Sequence, residues 1–461
     1  TELSSIPEGT PESFTMRALL TLLLVPGVLA FLSGGGVRQP DSHAHTRRRH
    51  VSSTSVKGSS GSYPDYVPSA VSEIEEPAAL ELAKSMQRAP ITVPESVANR
   101  AIGTNFVQTT KPKAGSKDGE GEDPILMLHG FDSSLLEFRR LMPKLGELGA
   151  EAYAVDVLGW GFTQLSGVSS FGAEAKRTHL LEFWKQTMGG RPMVLVGASL
   201  GGAIAIDFAH EFPEAVKKLV LIDAQGFIDG SGPGASLPGP LAKFGISVLG
   251  SKPLRSLANK MSYTDKSLAT DDAVRVGRLH TMCEGWADAS LQYMRSGGFA
   301  VSTKVPDIGT ETLVLWGRQD KILDPKLYAE SRFVDEMPNA RLVWVEECGH
   351  VPHLEQPDLT ASTIVDFVKN GNPAKEVCRF CAGSELQACY NCDGQGSYKT
   401  YGVVVVCKGC KGSGNVLCRS CFKGDPWDLE AARATAEEKR AASLLGFRKQ
   451  SPPDAPDGIL Q

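Results

Sequence analysis

Val196 closes a short apolar run and passes directly into Gly197-Ala198-Ser199-Leu200-Gly201-Gly202, after which AIAIDFAHEF repeats at helical spacing. No other feature of the 461 residues restricts the fold as tightly. A serine between glycines at a strand-to-helix junction requires a turn so sharp that Ser199 takes a strained backbone conformation. The glycines follow from the same geometry, because a Cβ at Gly197 or Gly201 would collide with the neighbouring strand or helix. Such a turn lifts Ser199 Oγ over the sheet, at the positive end of the following helix.

The surrounding pattern supplies that sheet. Strand-like apolar runs occur at 104–109, 125–128, 152–157, 193–196, 219–222, 313–316 and 342–345. Helical periodicity lies between them, at 137–148, 173–187 and 200–212. Strands alternating with helices of this length predict an α/β fold with a mostly parallel sheet covered on both faces. Ligand sites in such sheets lie at the C-terminal strand edges.

Two further strand ends carry chemistry. The 313–316 run ends in Gly317-Arg318-Gln319-Asp320, and the 342–345 run leads to Cys348-Gly349-His350. A lone serine is a weak nucleophile and needs a base and an orienting acid. His350 is expected to take the Ser199 proton and Asp320 to hold the imidazole, in the chain order Ser, Asp, His. Asp324 and Asp223, the latter at the end of the 219–222 run, are the competing acids. His353 is expected to pack or hydrogen-bond nearby. A tetrahedral intermediate needs donors aimed at its oxyanion. The backbone N–H groups of Leu200 and of Phe131, in His129-Gly130-Phe131-Asp132, are the expected pair, with His129 organising the loop and Asp132 ordering it.

These pieces resemble the α/β-hydrolase superfamily: HGFDSS (129–134), DVLGWG (156–161), GASLGG (197–202), WGRQDKIL (316–323) and CGHVPH (348–353). The nearest likeness is to plastid-type members of the AB hydrolase group that also contains epoxide hydrolases and pheophytinases. Serine at 199, where epoxide hydrolases carry aspartate, makes ester or thioester cleavage the implied reaction, with no cofactor for hydrolysis. The resemblance implies a hydrolase domain over 91–371 with a cap at about 225–308. In that cap Met261, Met282, Trp286 and Tyr293 form either an acyl pocket or, more simply, the cap's own core. Cys283 and Cys348 have no spaced partners and read as ordinary thiols.

Composition isolates the other end of the chain. Eight of the 10 cysteines form four C-x-x-C pairs between 378 and 421: Cys378/Cys381, Cys389/Cys392, Cys407/Cys410 and Cys418/Cys421. The pairs are symmetrically spaced, which suits an antiparallel hairpin in which inner pairs meet and outer pairs meet. Each meeting gives four thiolates, a tetrahedral zinc set, hence two structural Zn ions. So short a segment rarely folds without such a staple. The inner pairs extend to CxxCxGxG, whose glycines let backbone amides turn back to the sulfurs. This resembles the DnaJ-type cysteine-rich zinc finger (376–424 here), which implies polypeptide binding or thiol chemistry beside a purely structural role. The J-domain His-Pro-Asp tripeptide does not occur. Residues 425–461 read as a charged helix and a disordered tail.

At the other end, the apolar run 18–32 is too short to span a bilayer and follows Arg17, as in a signal peptide. Residues 31–64 are basic, hydroxyl-rich and nearly free of acids, a transit-like composition that begins with Phe31. Residues 1–90 are therefore expected to be a leader and disordered linker. A bipartite plastid address is the first reading and the secretory route the alternative, with no stable membrane span in the mature form. Lys+Arg 48 against Asp+Glu 53 leaves a formal charge of -5, so no basic field recruits nucleic acid. The sequence therefore points to a serine hydrolase of a small hydrophobic ester. A non-catalytic binding scaffold, or a protein-binding or thiol-redox module driven by the finger, are the competing readings.

Overall fold

A computed structural model of the chain describes residues 62–109, 123–230, 239–372, 386–389, 391–400 and 403–417. Residues 1–61 of the leader and linker expected over 1–90, the outer cysteine pairs Cys378/Cys381 and Cys418/Cys421, and the tail lie outside the described residues. The chain divides into two compact units, Thr1–Asn372 and Pro373–Gln461.

The first unit is built on an eight-stranded sheet. Its strands are β1 (Gln87–Ile91), β2 (Ile102–Gln108), β3 (Ile125–Leu128), β4 (Ala152–Val155), β5 (Met193–Ala198), β6 (Val216–Ile222), β7 (Glu311–Gly317) and β8 (Ala340–Val345). Their order is β1-β2-β4-β3-β5-β6-β7-β8, with β1–β2 and β2–β4 antiparallel and every later pairing parallel. The central strands are buried along their whole length, and alternate residues serve two cores. Leu126, Leu128, Leu195, Leu219 and Leu221 enter one. Ile125, Met127, Val194, Val196, Val220 and Ile222 enter the other. Helices close both faces: Ala173–Thr187 and Leu200–Glu211 supply Phe183 and Phe208 to the first core, and Leu141–Glu147 and Pro357–Asn370 supply Leu145 and Ile364 to the second.

The structure corrects the N-terminal boundary. Residues 62–90 are not a disordered linker, because Val67, Val71, Ile74, Leu82, Ala83 and Met86 are buried in the second core. Helix Pro77–Lys84 and strand β1 lie in this stretch. Its edge position explains why β1 escapes a sequence reading: only Ile91 is buried, and Pro90, which cannot donate to a ladder, is tolerable at an edge.

Between β6 and β7 the chain leaves the sheet and forms the cap. Its helices are α1 (Gly239–Leu249), α2 (Lys252–Ser262), α3 (Asp271–Arg278) and α4 (Trp286–Arg295). The Thr270 hydroxyl caps α3 by accepting the Ala273 N–H.

In the second unit, Ser397–Thr400 pairs antiparallel with Val403–Val406, and Leu386–Ala388 pairs antiparallel with Asn415–Leu417. The two ladders bring Cys389, Cys392, Cys407 and Cys410 together as a small buried cluster with Val416.

Candidate active site

The turn after β5 has the strain its sequence demands. Ser199 sits at φ 52 and ψ -120, outside the regions a serine ordinarily occupies. Its amide donates to Ile222 O at 3.0 Å, and its carbonyl accepts from Gly202 N at 2.9 Å and Gln225 N at 2.8 Å. A Cβ on Gly197 would strike the backbone of Gly201, and one on Gly201 would strike the Leu128 carbonyl at the end of β3. Leu200 is the first residue of the following helix, so its N–H has no carbonyl within the helix to donate to.

His350 is buried, and its ring joins two partners. Nε2 lies 3.0 Å from Ser199 Oγ, and Nδ1 lies 2.8 Å from Asp320 Oδ2. Asp320 Oδ1 accepts the Ile322 and Leu323 amides at 2.7 and 3.1 Å, which fixes the carboxylate behind the ring. Burial alone would lower the His350 pKa, but the charge and hydrogen bond of Asp320 raise it above its ordinary value. The close approach of the two strand ends depends on Gly317, where a Cβ would meet the Gly349 carbonyl.

The competing acids take other places. Asp324 is exposed and accepts the Lys326 and Leu327 amides, a helix-capping role. Asp223 is fully buried and clusters with Asp320 and His350, its Oδ1 accepting the Gly317 amide at 3.0 Å.

The loop after β3 runs directly past the nucleophile. A Cβ on Gly130 would lie 3.3 Å from Ser199 Cβ, and Phe131 follows. His129 is buried and its pKa is lowered to about 4 by burial, so the ring is neutral at pH 7. Nε2 accepts the Val157 N–H at 3.0 Å, which leaves the proton on Nδ1 to donate to Gly130 O at 2.9 Å. Glu137 accepts the Gly130 N–H at 3.1 Å and faces His353 Nε2 at 3.2 Å. Burial would raise the Glu137 pKa, but the neighbouring His353 ring brings it down to about 2. The Phe131 ring is about two-fifths exposed and packs edge-on against Trp160 at 5.3 Å.

The alpha/beta hydrolase family model matches residues 125–363, which hold every element of this site. This chain belongs to the alpha/beta hydrolase family. The alpha/beta hydrolase domain-containing protein VTE7 of Arabidopsis thaliana is 38% identical over 313 residues, 68% of this chain and 92% of that protein. Lipase 1 of Psychrobacter immobilis is 24% identical over 246 residues, 53% of this chain and 76% of the lipase. The 2-hydroxy-6-oxo-6-phenylhexa-2,4-dienoate hydrolase of Burkholderia cepacia is 32% identical over 198 residues, 38% of this chain and 63% of that enzyme.

Within this hydrolase the cap residues divide. Trp286 and Tyr293 are buried, Tyr293 packing on Trp160 at 4.8 Å, whereas Met282 is about half exposed and Met261 is intermediate. Cys348 is buried, and burial pushes its thiol well above the ordinary range. Glu137, which holds the Gly130 amide, and Arg255 and His280, which both bond the Asp132 carboxylate, are site-supporting residues that sequence reasoning missed. Arg255 and His280 act through a partner 123 and 148 residues away in the chain. Among the described residues no helix is long and apolar enough to cross a membrane.

The second unit holds the inner cysteines in one group. Their Sγ atoms lie within 4.8 Å of one another, with Cys389–Cys407 at 3.8 Å and Cys392–Cys410 at 3.7 Å. The Gly396 and Gly414 amides donate to Cys392 Sγ at 3.2 Å and Cys410 Sγ at 3.3 Å.

Proposed function

We propose that this alpha/beta hydrolase cleaves a carboxylic ester or thioester through Ser199, His350 and Asp320 by way of an acyl-enzyme. One observation carries the reading: an unbroken series of hydrogen bonds from Ser199 Oγ through both His350 nitrogens to Asp320. His350 Nε2 takes the hydroxyl proton as Ser199 Oγ bonds to the substrate carbonyl carbon. The oxyanion receives the Phe131 and Leu200 N–H groups. His350 then delivers the proton to the leaving alcohol or thiol as the ester bond breaks. A water attacks the acyl-enzyme by the same route and restores Ser199. The exposed Phe131 ring beside the nucleophile favours a small hydrophobic ester, in keeping with the name of the lipase among the relatives.

A fluorophosphonate probe tests this directly. Labelling of the wild type and its loss in Ser199→Ala is the expected result. An unlabelled wild type, or labelling that survives in the variant, would overturn it.

For the second unit we propose two structural zinc ions, as in a DnaJ-like finger. The inner site would be held by Cys389, Cys392, Cys407 and Cys410, and the outer by Cys378, Cys381, Cys418 and Cys421. Zn–S bonds of about 2.3 Å in a tetrahedron require S···S edges of about 3.8 Å. Two of the six edges, at 3.8 and 3.7 Å, match that value, and the other four lie within 4.8 Å. Zinc there supplies cross-linking, and the glycine amides share the thiolate charge. The exposed Val403, Val404 and Val406 support polypeptide binding by this unit. Binding of a reduced, unfolded polypeptide should weaken in Val404→Asp. Plastid delivery through the leader is proposed on its composition and is testable by fusing residues 16–64 to a fluorescent reporter in an alga with secondary plastids.

A further inference from the structure

Asp132 follows the oxyanion donor Phe131, yet its side chain belongs to the cap. It is buried at φ 46, a left-handed conformation that aspartate and asparagine tolerate better than most residues. Oδ1 accepts His280 Nε2 at 3.0 Å and Trp286 Nε1 at 2.7 Å. Oδ2 receives Arg255 Nη2, and the Asp132 carbonyl receives Arg255 Nη1 at 2.9 Å. All three donors come from the cap. Arg255 also donates to Leu249 O at 2.9 Å and Gly277 O at 3.1 Å, joining α1 and α3 to the same point. Burial would raise the Asp132 pKa, but Arg255 and the His280 and Trp286 hydrogen bonds bring it below the usual carboxylate range.

The other end of α2 is tied to the loop that carries His350. Ser262 O accepts the His350 N–H at 2.7 Å. Glu355 accepts Gly349 N at 2.8 Å, and Thr264 N and Asp265 N each at 3.0 Å. One cap helix therefore holds the oxyanion loop near its first turn and the His350 loop at its last residue. The two loops that must face Ser199 touch a common strut.

We propose that α2 is a two-ended clamp, with Asp132 and Glu355 as positioning residues, so that seating of the cap and alignment of the catalytic loops are one event. This rests on the serine-hydrolase reading for its kinetic consequence alone. Asp132 does not touch the reacting atoms. It places the Phe131 amide through the backbone it shares with that residue. A cap fastened only to the sheet would open without disturbing the oxyanion donor. This one cannot.

The test uses the full chain and Asp132→Asn, which keeps shape and left-handed backbone but loses the charge that Arg255 and His280 bind. Hydrogen–deuterium exchange is expected to rise together in 129–135 and 252–265, with the β5 and β6 amides unchanged. On a short-chain p-nitrophenyl ester kcat should fall about 10- to 100-fold with KM within about twofold, the pattern of a lost transition-state donor. Trp286→Phe, which removes one donor and keeps the packing, should show both effects more weakly and serves if the first variant does not fold. Exchange rising in only one segment, or wild-type kcat with both segments loosened, overturns the clamp. An inactive wild type that still shows paired exchange defeats the hydrolase reading and leaves the clamp standing.

Discussion

Asp223 and Asp320 set two carboxyl groups into one buried cluster with His350, their ligand-type atoms all within 4.8 Å. Asp320 spends both oxygens, on His350 and on the Ile322 and Leu323 amides. Asp223 spends one, on the Gly317 amide at 3.0 Å. Burial, and then the neighbouring Asp320 charge, push the Asp223 pKa well above the carboxylate range. Two adjacent buried carboxyls resist ionising together, and of the pair Asp223 is the one pushed towards its protonated form. Asp320 is the acid by position, because its Oδ2 is the carboxylate oxygen 2.8 Å from His350 Nδ1.

Asp223→Asn should therefore stabilise the protein at alkaline pH. A folded-state pKa above the unfolded value of about 3.9 means that stability is fully present below that pH and lost as pH rises through the folded pKa. Asparagine has the same shape and tolerates the φ of 41 at this position. The melting temperature of the variant should exceed wild type by about 2 °C or more at pH 8, with the difference closing towards pH 4. Equal or lower stability at pH 8 would show that Asp223 ionises without cost.

The pH dependence of turnover should report His350. Its raised pKa puts the acid limb of kcat/KM above pH 6.5, because only the neutral ring can accept the Ser199 proton. Removing the charge in Asp320→Asn should move that limb to lower pH and reduce kcat by about 10⁴-fold, as loss of the orienting acid does elsewhere. A limb that stays in place would assign it to another group.

Acid should destabilise the fold through two other histidines. Burial lowers the pKa of His129 to about 4 and, with the charge of Lys176, that of His179 to about 3. Each is depressed below the unfolded value of about 6.5, so the stability it contributes is present above that pH and lost as pH falls towards the folded pKa. His179 bonds Thr104 Oγ1 at 2.7 Å, and His179→Gln keeps a polar partner without the titration. The urea midpoint of wild type should drop between pH 6.5 and 4, and that of the variant should drop less steeply. Parallel curves would rule His179 out.

What could be read from the sequence follows the range of the forces involved. Strands β3, β4 and β5 announce themselves because strands covered on both faces must be apolar throughout, and the Ser199 turn because only glycine fits at 197 and 201. Strand β1 is silent because an edge strand with one buried residue carries no pattern. The stretch before it is silent for a related reason: Val67, Val71 and Ile74 are spaced singly among polar residues and gain meaning only against the sheet. The Asp132 contacts were beyond reach, since Arg255, His280 and Trp286 lie 123, 148 and 154 residues away. Local pattern marks a loop as catalytic. Only the folded cap shows what holds it.

The inner cysteine site makes the last prediction. Gly396 has φ 73 and donates its amide to Cys392 Sγ at 3.2 Å, and a Cβ there would strike the Gly412 carbonyl on the facing segment. Gly396→Ala should therefore pry the two inner pairs apart and lose the ion they hold. Zinc measured by mass spectrometry should fall from two ions per chain to about one, while Ser199 labelling by a fluorophosphonate stays at the wild-type rate. Undiminished zinc in the variant would show that the glycine does not set the site, and a wild type free of zinc would remove the metal from this unit altogether.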